Sequence, residues 1–506
     1  MSDDTQKQKP VLKLAKPVQV KPAKKSAGKK RAPGPFGGHF GKGGASFDQK
    51  RRDKTKAKPK PQQGQKRDIV SLSRVDNLPA NRMAAFEVAQ LVLLHDHYLD
   101  KALAENERLS NLYASDRQFV RLLVTGVLRH HAQLDPAITS LVNSKPPAEA
   151  HLILMMGAAQ LWLLKMQPHA AISTSVDLMR AAGFDHMTGL ANAVLRKIAN
   201  QDFDLLAAEN LSDNIAAPLL ESWQAAYGTQ TVTRFLPVLF TPPEMDLSFA
   251  KAASAAEFAK NKEAVCLLDT VVRTKLGGDI TSWDGFAEGA WWVQDIAAAM
   301  PAHLLGDVAD KNVIDMCAAP GGKTAQLIAS GAKVTAIEID PKRARRLQDN
   351  LERLQMSCVI EVEDARHYRP NKKVDAVLLD APCSATGTIR KRPDVMQKDI
   401  STDLKELPQL QYELAKSALS WLKTDGQLIY ATCSLQPEEG EQVITRLTSG
   451  DKPRARLLPF TAEEAGPFAS ALTTEGTLRL LPDALQIDGT HSGGNDGFFI
   501  ARLQAL

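Results

Sequence analysis

Short apolar runs alternate with helical stretches through the last two fifths of the chain. Asn312–Met316 is apolar apart from its ends and reads as a strand, leading through a glycine turn to an amphipathic helix ending near Ile328. Residues 334–339 read as the next strand and 341–354 as the next helix. Residues 359–362, Val374–Asp380 and 427–432 supply three further strands. Strands alternating with helices predict a parallel sheet with right-handed crossovers. Upstream the period changes. Leu154, Met155, Ala158, Leu161 and Trp162 recur at i, i+1, i+4, i+7 and i+8, one face of a helix, behind the break Lys145-Pro146-Pro147. Residues 80–204 read as all-helical.

Two cysteines follow two of these strands. Cys383 lies in Leu379-Asp380-Ala381-Pro382-Cys383-Ser384, and Cys433 in Tyr430-Ala431-Thr432-Cys433-Ser434. Ligands of open α/β sheets bind outside the carboxyl ends of the strands, so both thiols are expected at one crevice, on loops where chemistry is usually placed. A free cysteine is often a buried packing residue. Two at matching positions argue for more than packing.

The first strand runs into Cys317-Ala318-Ala319-Pro320-Gly321-Gly322-Lys323-Thr324. A glycine turn between strand and helix lets backbone N–H groups approach a ligand. Glu338, near the end of the next strand, is placed to accept hydrogen bonds from ribose hydroxyls. Asp364 follows the third strand. The rival reading is a Walker A loop, because Gly322-Lys323-Thr324 matches its end and 376–380 resembles a Walker B strand. Walker A requires glycine five residues before the Gly-Lys pair, and Cys317 stands there. Carboxylates at the strand ends also suit hydroxyl and amine donors, and would repel a triphosphate.

At 506 residues and 44% apolar content, the chain is long enough for two to four domains with real cores. No apolar run reaches the length of a membrane span. The acidic start followed by lysine-rich sequence argues against a secretory signal. Five cysteines without metal-ligand spacing point to a reducing, cytoplasmic setting and no metal. Charge is unevenly distributed. Residues 1–70 hold 20 basic and 5 acidic side chains, a net of +15 against +5 for the whole chain. Such a segment builds no core, is expected to be disordered, and suits phosphate contacts as well as plain solubility.

The paired cysteine motifs, the glycine loop and the strand-end acids together resemble the RNA cytosine-C5 methyltransferases of the Nop/Sun family, and within it the RsmB-type enzymes that modify ribosomal RNA. The resemblance spans roughly residues 80–506. Asp116, Gly126 to Arg129, Gly157, Gln160 and Asn192 to Arg196 resemble the NusB-like helical domain of such enzymes. The implied organisation is a disordered basic tail (1–78), a NusB-like, RNA-positioning helical domain (79–204) and a small α+β RNA-binding subdomain (205–288). The last part (289–506) is an α/β Rossmann-like methyltransferase domain with a seven-stranded sheet. Trp223, Tyr227-Gly228 and Thr241-Pro242-Pro243 resemble the small subdomain, although Glu244-Met245-Asp246-Leu247-Ser248 replaces the arginine-rich strand that relatives carry there. Trp292-Val293-Gln294-Asp295 resembles the entry to the catalytic domain, and its tryptophan pair (Trp291, Trp292) reads as packing. Asp496-Gly497-Phe498-Phe499 resembles the start of the last strand, expected to pair with a strand at 485–487 across the Gly493-Gly494 turn.

The resemblance implies S-adenosylmethionine as cofactor and RNA as partner, with no membrane and a monomeric enzyme. By motif position Cys433 matches the nucleophile that adds to cytosine C6, and Cys383 the cysteine that assists product release. Asp380 matches a carboxyl near the cofactor and the target's ring nitrogen. Cys317, Ala318, Ala319, Pro320, Gly321, Gly322 and Lys323 match the cofactor loop. Glu338, where relatives more often have Asp, matches the ribose acid; Arg343 matches a residue near the adenosine, and Asp364 the acid near the adenine. Arg390-Lys391-Arg392 is expected to grip RNA phosphates. The alternatives are the same chemistry on transfer RNA, a redox disulfide lacking the usual CxxC spacing, and a non-catalytic RNA-binding assembly factor.

The charge distribution gives a first prediction. Deleting residues 1–70 should leave cofactor affinity unchanged, weaken RNA binding and flatten its dependence on salt. Binding titrations across a salt series check this, and an identical slope with and without the segment would show that it makes no RNA contact.

Overall fold

The computed structural model describes residues 68–76, 78–201, 211–487 and 491–506. The expected basic tail lies outside the described residues up to position 67. Among those described, no helix is long and apolar enough to cross a membrane.

The N-terminal part is a helical bundle whose longer members are Ala80–His95, Ala114–Arg129, Ala148–Trp162, Pro168–Ala181 and Thr188–Ala199. The helix Ala148–Trp162 departs from the one-faced reading. From Ala150 onward every side chain is buried. Its sequence is apolar all round, so it is the centre of the bundle rather than an outer member. The others pack around it in one continuous core.

Two helices, Ala217–Tyr227 and Thr229–Phe240, follow. They bury Trp223, Phe235 and Phe240 against Ile389, Val395, Met396 and Leu435. Trp223 Nε1 donates to Gln436 Oε1 at 2.7 Å and the Tyr227 hydroxyl to the Leu435 carbonyl at 2.5 Å. This helical pair therefore buttresses the segments that follow both cysteines. A small antiparallel sheet comes next: β1 (Met245–Phe249), β2 (Val265–Leu268), β3 (Val271–Thr274) and β4 (Trp291–Val293), in the order β2-β3-β1-β4. β4 lies beyond residue 288 yet pairs with β1, so the small sheet reaches past the expected edge of the subdomain. Both tryptophans pack inward. Trp291 lies against Leu247 and Phe249, and Trp292 against Ala318, Ala319 and Leu347.

The acidic segment that replaces the expected arginines forms β1 and the residue before it, and its acids are fasteners. The Asp246 carboxylate accepts from Arg273 Nε at 2.6 Å and Nη2 at 2.8 Å, with both side chains almost wholly buried, and from the Ile296 N–H at 3.0 Å. Arg273 Nη1 also donates to the carbonyls of Ser492 and Gly494. Glu244 holds His491 and the Ser492 N–H.

The larger sheet contains β5 (Asn312–Met316), β6 (Lys333–Ile337), β7 (Val359–Glu361), β8 (Val374–Asp380), β9 (Leu422–Thr432), β10 (Ala455–Leu457), β11 (Leu478–Leu480) and β12 (Phe498–Ala505). The order is β10-β12-β9-β8-β5-β6-β7, with β11 also on β12. β5 to β9 are parallel and β12 is antiparallel. Helices cover both faces, giving two cores. This is the Rossmann-like arrangement expected from the alternation. The hairpin partner is different: residues 478–480, not 485–487, pair with β12. Leu485 instead spends its backbone groups on the Asn495 side chain and the Gly494 N–H. Arg479, buried by pairing with Glu441 at 2.5 Å, breaks the apolar run of the true strand.

Removing one partner of a buried ion pair strands the other charge. Asp246→Ala should destabilise the protein by roughly 3–5 kcal/mol in urea unfolding. The double change Asp246→Leu with Arg273→Met should recover most of that loss; equal damage from both would mean that the pair's charge is not what matters.

Candidate active site

β8 and β9 run parallel with Leu379 opposite Tyr430 and Asp380 opposite Ala431. The ladder closes with Ala381 N–H donating to the Ala431 carbonyl at 2.8 Å. Both chains then turn out of the sheet at the same level. Cys383 Sγ and Cys433 Sγ consequently sit 3.4 Å apart, within S–H hydrogen-bond distance, each half-buried and free of a disulfide. The Gly387 N–H donates to the Cys433 carbonyl, and the Gly497 N–H to the Gly387 carbonyl. A Cβ on Gly387 would lie 2.0 Å from the Gly497 carbonyl oxygen, so only glycine lets these three loops meet.

Lys323, at the start of the helix Gly322–Ala329, reaches over to Asp380, with Nζ 2.8 Å from Oδ2. Burial would lower its ammonium, but Asp380 outweighs that, aided by Cys433 and Asp315, and the net direction is up. Contact with Cys433, then burial, then the Glu439 carboxylate push the Cys383 thiol well above its ordinary range. Burial, then Glu338 and Asp380, push the Cys317 thiol up.

A cavity of about 510 Å³ opens beside the glycine loop. Residues 317–323 and Asp380 line it, as do Trp292, Gln294, Asp315 and the ionic cluster of Lys391 with Asp295 and Asp496. Gly321 has φ +107°, and a Cβ there would meet Leu347 Cδ1 at 2.5 Å. Glycine is thus required by the turn and by packing on the helix Pro341–Arg353, not only by approach to a ligand. The remaining expected cofactor residues do not line this cavity. Glu338 is buried and accepts from the N–H groups of Asp340 at 3.1 Å and Ala319 at 3.4 Å. Arg343 donates to the Ala319 carbonyl at 2.8 Å, bracing the loop from behind. Asp364 is held by Arg366, Oδ2 to Nη2 at 2.6 Å.

The basic run after Cys383 is not an open phosphate grip. Arg390 is buried, and its carbonyl accepts from Arg129 of the helical bundle at 2.9 Å. Lys391 bridges Asp295 at 2.5 Å and Asp496 at 2.9 Å. Burial and the nearby Asp295 push Asp496 up to about 6. Arg392 pairs with Asp100 at 3.2 Å. Lys398, further along, pairs with Asp96 at 2.5 Å. The acidic partners come from distant parts of the chain, so the local sequence reads as a solvated charge run while the fold uses it as a clamp between domains.

Residues 302–504 match the family described as 16S rRNA methyltransferase RsmB/F, and residues 79–200 match the NusB family. The ribosomal RNA small subunit methyltransferase B of Escherichia coli K12 is 31% identical over 439 residues, covering 80% of this chain and 96% of the relative. The chain belongs to the RsmB/F methyltransferase family. The enzyme of the same name from Sodalis glossinidius is 33% identical over 416 residues, covering 78% of this chain and 90% of the relative. The crystal structure of PH0851 shares the fold, with TM-score 0.64 and 22% identity over 86% of this chain and all of that one.

RsmB/F enzymes are S-adenosylmethionine-dependent, and the donor set here fits that cofactor. The lining carries acidic groups suited to a cationic sulfonium and ammonium, Asp380 among them, and Asp315 adds a buried Oδ1 that has no partner. The residues that sequence reasoning missed are polar and deeply buried: Asp295, Asp496, Gln411 and Glu439. Glu439 had one available signal, a carboxyl six residues after Cys433 in Gln436-Pro437-Glu438-Glu439. Nothing local said that it turns inward.

Asp315 carries a pH prediction. Burial, opposed by the Thr324 hydrogen bond and Lys323, pushes its carboxyl up to about 7. The folded chain then keeps a proton that the unfolded chain has lost, so this group erodes stability as pH rises from about 4 to about 7. Asp315→Asn retains an acceptor for Thr324 and removes the titration. It should stabilise the protein by roughly 2–4 kcal/mol near pH 8, with most of the gain gone near pH 4.5. Urea unfolding at both values checks this, and an equal gain at both would exclude titration of Asp315 between them.

Proposed function

We propose that this enzyme methylates carbon 5 of a cytosine in small-subunit ribosomal RNA through a covalent bond between Cys433 and carbon 6. The observation that carries the reading is the pair of sulfurs 3.4 Å apart on loops leaving adjacent parallel strands, beside the Lys323–Asp380 ion pair. The named function of the Escherichia coli relative supports the substrate class.

Carbon 5 of cytosine is a poor nucleophile. Addition of the Cys433 thiolate to carbon 6 sends the ring electrons toward carbon 5, splitting one hard step into easier ones. S-adenosylmethionine supplies an electrophilic methyl group when bound; residues 317–323 and Asp380, which line the cavity, are the groups assigned to hold it, and Glu338 and Arg343 are assigned to keep that loop in place. Once carbon 5 carries the methyl group, its proton passes to water and the C5–C6 double bond re-forms. The C6–S electron pair returns to Cys433. Cys383, touching that sulfur, supports the departing thiolate with its S–H. Asp380, held by Lys323, is assigned to the ring nitrogen of the target. The NusB-matching bundle and the basic N-terminal segment are assigned to hold the RNA, in a cytoplasmic setting.

The two cysteines then behave oppositely. Cys433→Ala should form no covalent RNA adduct and have no activity. Cys383→Ala should attack and methylate but release slowly, so a protein–RNA adduct should accumulate on denaturing gels. An adduct requiring Cys383 but not Cys433 would reverse the roles, and activity retained in both variants would remove the cysteines from the chemistry.

A further inference from the structure

One carboxylate joins the two cysteine loops. Glu439 lies in the turn Pro437–Glu439 just after the Cys433 loop, and its side chain is completely buried. Its Oε1 accepts from the Ser384 N–H at 2.9 Å and from Gln411 Nε2 at 3.2 Å. Its Oε2 accepts from the hydroxyls of Ser384 and Ser434, each at 2.5 Å. The residue after each cysteine is therefore fastened to the same group. Gln411 Nε2 also donates to the Pro382 carbonyl at 2.9 Å, holding the residue before Cys383. All four contacts are donors onto an acceptor-only carboxylate, and hydrogen bonds to an ionised acceptor are short and strong.

The charges around the sulfurs are lopsided. Cys383 is faced by Cys433, by Glu439 and by the buried phenol of Tyr430, whose hydroxyl donates to the Glu439 carbonyl at 2.7 Å. Arg479 reaches the Ser434 carbonyl, but its charge is paired with Glu441. On the other side, Cys433 has the Lys323 ammonium, itself held by Asp380. A carboxylate beside a thiol disfavours its ionisation, and Cys383 is the thiol that has one.

We propose that Glu439 is a positioning residue that makes the two cysteines unequal. It sets the sulfur–sulfur contact by tying both loops, and its negative charge adds to that contact and to burial in keeping Cys383 a thiol whose S–H points its proton to the sulfur of Cys433. This rests on the covalent reading above. In that reading the Cys383 S–H supports the thiolate of Cys433 before attack and again as the C6–S bond breaks. No proton need leave Cys383 in either event. The separation of roles thus comes from a fully buried residue outside the lining of the cavity.

The test uses the reduced full-length protein. Iodoacetamide labelling of each cysteine, read peptide by peptide across pH, measures ionisation without any turnover. Glu439→Gln removes the charge at nearly constant size, and Glu439→Asp keeps the charge but shortens the tie. In Glu439→Gln the labelling midpoint of Cys383 should fall by about one pH unit while that of Cys433 stays put. With RNA, the same variant should lose kcat rather than KM and accumulate adduct increasingly as pH rises. Glu439→Asp should leave the Cys383 midpoint high while still slowing turnover. Ser384→Ala, which cuts one strap and introduces no amide, serves if Glu439→Gln does not fold: it should also slow release, with the Cys383 midpoint unchanged. Unchanged midpoints and parental turnover in Glu439→Gln, or in Ser384→Ala alone if only that variant folds, would overturn the proposal. The covalent reading fails separately. Absence of adduct in Cys383→Ala refutes it, whereas a shifted Cys383 midpoint in Glu439→Gln would still support the electrostatic role of Glu439.

Discussion

The in-register parallel pairing of β8 with β9 is the constraint on which the site depends. Parallel strands leave a sheet on the same side, and register sets how far apart their ends emerge. With Asp380 opposite Ala431, three residues of loop bring Cys383 level with Cys433, two residues beyond its own partner. A shift of register by one residue would move the sulfurs apart by about 3.3 Å and turn one loop to the other face. The core built on Val377, Leu379, Leu428 and Tyr430 therefore acts on the sulfur pair indirectly, by forbidding that slip.

Around this frame the pieces of the chain are joined by buried polar groups. Asp246 with Arg273 ties the small sheet to the segment before β12. Lys391 with Asp295 and Asp496 ties the Cys383 loop to both sides of the cavity. Arg129 and Asp394 link the helical bundle to the segment beyond it, Asp394 by accepting from the Leu99 N–H at 3.1 Å. Apolar contacts tolerate sliding, because they are not directional. Ionic and hydrogen-bonded contacts fix a geometry at the cost of desolvation. The arrangement puts directional contacts where the site's dimensions must be kept and apolar ones, as around Trp223 and Phe235, where support is enough.

What could be read from sequence was whatever is contiguous. The alternation of strands and helices, the glycine loop and the two cysteine segments each lie within about ten residues, and their local pattern carries their meaning. What escaped depended on distant partners. Arg390-Lys391-Arg392 looked solvent-facing because Asp100, Asp295 and Asp496 are far along the chain. Residues 485–487 and 478–480 have similar apolar content, and only tertiary pairing of Arg479 chooses between them. The helix Ala148–Trp162 has the periodicity of a one-faced helix, yet enough apolar residues elsewhere to be enclosed. Glu439 is the extreme case: a glutamate in a polar turn whose burial follows from two hydroxyls on separate loops.

The rims of the catalytic sheet have their own consequence. One rim is β7, three residues long; the other is shared by β10 and β11, also three residues each and set on different halves of β12. A long free strand offers a row of unpaired amides and carbonyls on which another chain can continue the ladder. Among the described residues no rim presents more than three consecutive residues, and the last β-strand, one of the most apolar in the domain, is covered along its outer side by two unconnected caps. The sheet is thus closed laterally, which guards it against strand-by-strand aggregation, while the cavity at its strand tips stays accessible.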